Sequence, residues 1–315
     1  DGGATWTVNP LLPSTTYYNV EAFDADRVIV AGSVNSTFNV RITTDGGASW
    51  NNAAAGTSTI YSLAFFNSLV GFASSSSGLG FKTTDGGFTW NQMISLNAPS
   101  TSTFYSTYID GSKLYFVDDA SLLFVSADSG ATFSRLRYLP NGKPNQIMRG
   151  VCANGSNIVV VGDNGYQFKS TDNGTSWSTQ SEIVASGFVQ GIFGDQSGKI
   201  IAVGTNGPTQ VMVSDDFSTS FTGVPLSVSN ADLRGIEMFD ATNGFACGSG
   251  GRIWKTTDGG YNWDLYSGTT TIQAFNDIDF YDTQYGMVTG NSAQVWKTVD
   301  GGTTWTSISN LGVTT

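Results

Sequence analysis

The chain has 315 residues, 39% hydrophobic and only 12% charged, with a net charge of −11, two Cys and no His. An acidic body of this kind has no basic excess with which to displace counterions from nucleic acid, and the lack of imidazole leaves few groups for acid–base chemistry near neutral pH. No apolar run approaches the ~20 residues of a membrane-spanning helix.

The chain opens on DGGATW at 1–6, and that text returns about every 40 to 44 residues as a Ser/Thr-x-Asp-x-Gly-x-Ser/Thr-aromatic cassette. Its aspartates are Asp1, Asp45, Asp85, Asp128, Asp172, Asp216, Asp258 and Asp300. The aromatic positions are Trp50, Trp90, Phe133, Trp177, Trp263 and Trp305, with Phe221 in a copy (SDDFSTSF) that has lost its central Gly. Between cassettes run short apolar or alternating segments closed by Gly, Asn or Asp. In the unit at 233–263 they read LRGIEMFD, GFACGSG, RIWKTTDGG and YNW, each a strand followed by a tight turn.

The cassette falls between the third and fourth strands, where Asp-Gly-Gly supplies positive φ and the carboxylate accepts turn amides. Eight evenly spaced copies cannot converge on one substrate, so the box aspartates are predicted to lock hairpins rather than to catalyse. A four-stranded sheet with two apolar faces must stack on its neighbours, which predicts an all-β, seven-bladed β-propeller. The cassettes at both ends compete for one fourth-strand slot. The expectation is a single propeller domain over 1–315, excised from a larger multidomain protein and closed by one terminal fourth strand; eight blades in a longer chain are the alternative.

These repeats resemble the Asp-box (bacterial neuraminidase repeat) propellers over essentially the whole chain. The text LRGIEMFDATNGFACGSGGRIWKTTDGGYNW is most similar to the photosystem II stability and assembly factor type found in secreted bacterial proteins. The resemblance implies a propeller fold and, from its bacterial members, export. Proteins of that type carry an arginine cluster on one face; only Arg149-Gly150 and Arg234-Gly235 match it here, with Tyr or neutral residues at the other positions, so most of the cluster is missing. Sialidases and xyloglucan-cleaving enzymes carry the same box, so the box predicts fold better than activity.

Aligning the first strands brings Tyr18, Tyr61, Tyr105, Arg149, Gln190, Arg234 and Asn276 into one column, predicted to rim the central opening opposite the boxes. Three tyrosines and two arginines could stack a sugar ring or hold a peptide. The same side chains could instead pack the ring, with Arg149 and Arg234 satisfied by loop carbonyls or by Asp232 and Asp277. Two inter-blade loops are long, 91–104 and 134–146, the latter bearing Arg135, Arg137, Tyr138 and Lys143.

Enzyme chemistry is not expected. The nearest text to a sialidase arginine signature is Val40-Arg41-Ile42-Thr43, on a third strand. Glu21 and Glu237 lie on first strands without a sequence partner, and Asp24, Asp26, Asp195 and Asp240 sit where turns need them. Cys152 and Cys247 read as small buried apolar groups, with no metal and no cofactor. Low Lys content and acceptor tripeptides at Asn35, Asn154 and Asn173 fit a secreted, cell-surface or periplasmic protein. The expected role is a scaffold for a protein or glycan partner, with a carbohydrate-binding or glycoside-hydrolysing propeller as the alternative.

Overall fold

The computed structural model describes residues 16–33, 39–53, 56–93, 96, 98–137, 147–178, 181–182, 187–195, 197–205, 210–217, 220–228, 231–265 and 269–308. Among them, twenty-eight strands form seven four-stranded antiparallel sheets, each made of consecutive strands. Blade 1 is β1 (Tyr17–Ala22), β2 (Arg27–Gly32), β3 (Val40–Thr44) and β4 (Asn51–Asn52). The other innermost strands are β5 (Ile60–Phe65), β9 (Phe104–Asp110), β13 (Met148–Asn154), β17 (Phe188–Gly194), β21 (Leu233–Met238) and β25 (Phe275–Phe280). The last blade ends on β28 (Thr306–Ser307), so the C-terminal strand fills the fourth position of its own blade. The Asp1 cassette and Asn35 lie outside the described residues.

Each box is one hydrogen-bonded unit. In blade 2 the Thr83 hydroxyl donates to Asp85 Oδ1 (2.8 Å) and accepts from the Gly87 N–H (2.9 Å). Asp85 also accepts from the Thr89 N–H (2.9 Å) and hydroxyl (2.6 Å). The same bonds recur around Asp45, Asp128, Asp172, Asp258 and Asp300. They hold Asp128 down to about 2, chiefly through Thr132, although it is exposed. The residue after each Asp is left-handed even where it is not Gly, as at Phe217 (φ 52°). In that copy Asp216 keeps its bonds to Ser214 and Ser220, and the Phe217 side chain is buried.

Seven separate cores lie between neighbouring blades, and the box aromatic of each blade packs into the core shared with the blade before it. Trp50 joins Met287, Val295 and Ile308 of the last blade, which closes the ring hydrophobically. Basic side chains add staples at the box corners. Lys82 donates to the Ser129 carbonyl (3.0 Å), Lys199 to Gly259 (3.1 Å) and Lys297 to Gly46 (3.2 Å), the last across the closing seam.

One expectation is corrected. Arg135 and Arg137 are not in a loop: they lie on β12 (Ser134–Arg137), the outer strand of blade 3, whose partner β11 (Leu122–Ser126) extends the sheet far enough to pair with them. Tyr138 and Lys143 lie outside the described residues. Cys152 and Cys247 are buried free thiols.

Candidate functional site: a bulged inner ring around a central cavity

Every innermost strand carries one register shift in its pairing with the second strand. The residue left unpaired is, blade by blade, Tyr18, Tyr61, Tyr105, Arg149, Gln190, Arg234 and Asn276. A bulge puts an extra residue on one strand and re-aims its side chain. Here it turns two consecutive residues of each strand toward the axis. The second strand accommodates the bulge with Gly in five blades. A Cβ on Gly248 would meet the Asp232 carbonyl at 1.9 Å, and one on Gly204 the Phe188 carbonyl at 1.9 Å.

The seven bulge residues line one central cavity of about 380 Å³, at the end of the ring opposite the boxes. Tyr18 and Tyr61 lie ring against ring with centroids 5.1 Å apart and planes tilted by 35°, and Tyr61 and Tyr105 at the same distance with planes tilted by 56°. Arg149 continues the arc, its guanidinium 5.2 Å from the Tyr105 ring and 5.8 Å from that of Phe188, which is 37% exposed. Burial pushes the Tyr61 and Tyr105 hydroxyls up, so both are neutral phenols at physiological pH.

Both guanidiniums are already engaged. Arg149 Nε donates to Asp163 Oδ1 (2.5 Å), a partner not foreseen from the sequence. Arg234 forks onto Asp232 Oδ2 from Nη2 (2.9 Å) and Nε (3.2 Å) and reaches Asn276 Oδ1 from Nη1 (2.7 Å). Asn276 in turn donates to the Tyr17 carbonyl (2.7 Å) and to Asn291 (3.0 Å).

Below the rim a second tier satisfies the edge amides of the next inner strand. Asp277 Oδ2 accepts from Asn19 Nδ2 (2.7 Å) and the Val20 N–H (2.9 Å), Asn19 Oδ1 from the Leu63 N–H (2.8 Å), and Ser62 Oγ from the Thr107 N–H (3.2 Å). These bonds answer the unpaired edge that every innermost strand presents. In blades 4 to 6 this tier is Gly150, Gly191 and Gly235, and the backbones approach directly. A Cβ on Gly191 would meet the Arg234 carbonyl at 2.5 Å.

A third tier is acidic. Glu21, Glu237 and Asp279 line the cavity three residues after Tyr18, Arg234 and Asn276, with Asp277 just above. Burial pushes all four carboxyls up, with repulsion from neighbouring carboxylates adding to it for Glu21, Glu237 and Asp277, and Asp277 reaches about 8. The constant offset of three from the rim column was the available signal for this cluster. Among the described residues, no group of three or more His, Cys, Asp or Glu is arranged to hold a metal ion.

Four other aspartates do turn work. Asp24 accepts the Arg27 N–H (2.6 Å), Asp195 the Lys199 N–H (3.0 Å) and Asp240 the Asn243 N–H (2.7 Å), while Asp118 accepts the Leu122 N–H (2.7 Å). Arg41 is buried in β3 and does not line the cavity.

The family model described as "Photosynthesis system II assembly factor YCF48" matches residues 48–216 and 213–311. The chain belongs to that family. Among solved structures, YCF48 bound to D1 peptide aligns at 20% identity and TM-score 0.66, over 82% of this chain and 83% of that one. YCF48 from Cyanidioschyzon merolae aligns at 17% identity and TM-score 0.70, over 94% and 98%. The GH74 xyloglucanase from Xanthomonas campestris aligns at 13% identity and TM-score 0.63, over 92% of this chain and 46% of that one. At such identities the likeness to these structures is one of fold. No curated protein matches the sequence significantly.

Proposed function

We propose that this propeller is a non-enzymatic binding module, secreted or displayed at the cell surface, that holds a polypeptide segment of a partner over its central cavity. The observation that carries the reading is the set of seven bulges, which aim three adjacent tyrosines, two arginines, Gln190 and Asn276 at one opening. A rim fixed by strands and second-tier bonds loses little ordering entropy on contact, and aromatic faces give area at low cost. A related YCF48 has been solved with a D1 peptide, which supports a polypeptide as the ligand class.

Catalysis has little to work with. The box carboxylates are bound up in their own turns, and Asp277 and Asp279 accept backbone amides of blade 1. The sequence supplies no His. A glycan is the second reading, favoured by the same tyrosine faces.

The test is capture of a protein partner from the native source by the immobilised chain, compared with Tyr61→Ala, Tyr105→Ala and, at an outer edge, Leu265→Ala. The first two are expected to lose the partner at least tenfold and the third to keep it. Equal capture by all would refute the site. Binding on a glycan array that depends on Tyr61, or reducing-sugar release lost in Asp279→Asn, would favour the second reading. Fractionation of the native source tests location: protein confined to the cytosol would refute export.

A further inference from the structure

The charge of the ligand follows from what lines the cavity, given the protein-binding reading above. We infer that the partner segment inserts a lysine or arginine side chain through the tyrosine arc into the cavity, and that an acidic side chain or a free carboxylate is rejected.

Four carboxyl groups and two guanidiniums line this space. The guanidiniums are matched outside the count: Arg149 by Asp163, and Arg234 by Asp232. Glu21, Glu237, Asp277 and Asp279 have no cation of their own, and among the described residues the side chains of Glu21 and Glu237 have no hydrogen-bond partner. A carboxylate entering here would meet two guanidiniums whose charge is already matched by Asp163 and Asp232, and below them four acids. A cation meets the opposite situation at every level. It first passes the faces of Tyr18, Tyr61 and Tyr105, where the ring quadrupole attracts it. Its apolar stem then lies against those rings while the head reaches the carboxyl tiers, roughly 7–10 Å below by strand rise.

The bound cation favours ionised carboxyls, so binding releases protons and strengthens as pH rises from 5 to 8. The groups facing the cavity from the packed inner strands are Glu21, Glu237, Asp277, Asp279, Arg149, Arg234 and the tyrosines.

The experiment titrates the full chain with N-acetylated, C-amidated pentapeptides Gly-Gly-X-Gly-Gly, where X is Lys, Arg, norleucine or Glu, together with pentaglycine bearing a free C-terminus. The readout is tyrosine fluorescence or chemical shifts. The Lys and Arg peptides are expected to bind at least tenfold tighter than norleucine, more weakly in high salt, and about fivefold more weakly to the Glu21→Gln/Glu237→Gln variant. The norleucine comparison uses the unaltered protein and so decides the matter whether or not that variant folds. Equal binding of norleucine, or preference for Glu or the free carboxylate, overturns the inference. If those peptides bind in a Tyr61-dependent way, the rim remains a peptide site and only its charge preference falls. If none binds, both fall.

Discussion

The box hydroxyl is the most economical place to test how each blade is locked. Thr83 is fully buried, and its Oγ1 accepts from the buried Gly87 N–H at 2.9 Å while donating to Asp85 Oδ1 at 2.8 Å. Valine has the same shape without the hydroxyl, so Thr83→Val strands one buried amide at a cost of about 1–3 kcal/mol and removes a bond to a half-buried carboxylate at about 0.5–1.5 kcal/mol. The expected destabilisation is about 2–4 kcal/mol. Serine keeps the hydroxyl and loses one methyl, about 1 kcal/mol, and it is the natural residue at Ser126, Ser170 and Ser214. Urea unfolding of the three proteins, with hydrogen exchange read at Gly87, measures both differences. Thr83→Val within 0.5 kcal/mol of the parent, or no better retained stability in Thr83→Ser, would refute the account of the box.

Two further outcomes follow from the same geometry. The carboxylates of Asp45, Asp85, Asp128, Asp172, Asp258 and Asp300 are held below their ordinary range, so their stabilisation is complete above about pH 4 and is lost as pH falls through their folded values. The cavity carboxyls are raised, Asp277 to about 8. The folded state therefore binds more protons than the unfolded one between about pH 4 and 8, and stability falls as pH rises through that window. Thermal unfolding should peak at about pH 4–5, and a monotonic rise to pH 8 would contradict the cavity assignment. Gly191→Ala should cost about 1–3 kcal/mol by pushing β17 from the Arg234 carbonyl; exchange rates unchanged in β17 and β21 would contradict the close approach.

What was legible in the sequence was what one turn encodes locally. Thr43, Asp45 and Ser49 complete their bonds within seven residues, so the box betrays itself at every copy, and its spacing gives the blade count. The rim column was legible for a related reason: repeats aligned on the first strand stay aligned at Tyr61 and Arg234. The cause of the rim was not. A bulge at Tyr18 is a matter of pairing with Gly32, and no local signal states which face of β1 then looks inward. With that face unread, the offset of three from the rim column that groups Glu21, Glu237 and Asp279 was passed over. Arg149 likewise found Asp163 through the hairpin of blade 4, a contact set by register.

The central claim is that the bulged rim meets a polypeptide. Photo-crosslinking tests it most directly, with p-benzoylphenylalanine placed at Tyr61 and, as a control on the turn that follows β25, at Tyr281, which is 48% exposed. Illumination in extract of the native source is predicted to join the position 61 probe to a protein segment, with competition by the unlabelled chain, and to leave the position 281 probe without that product. Crosslinks from position 281 alone, or the same product from both, would contradict the claim.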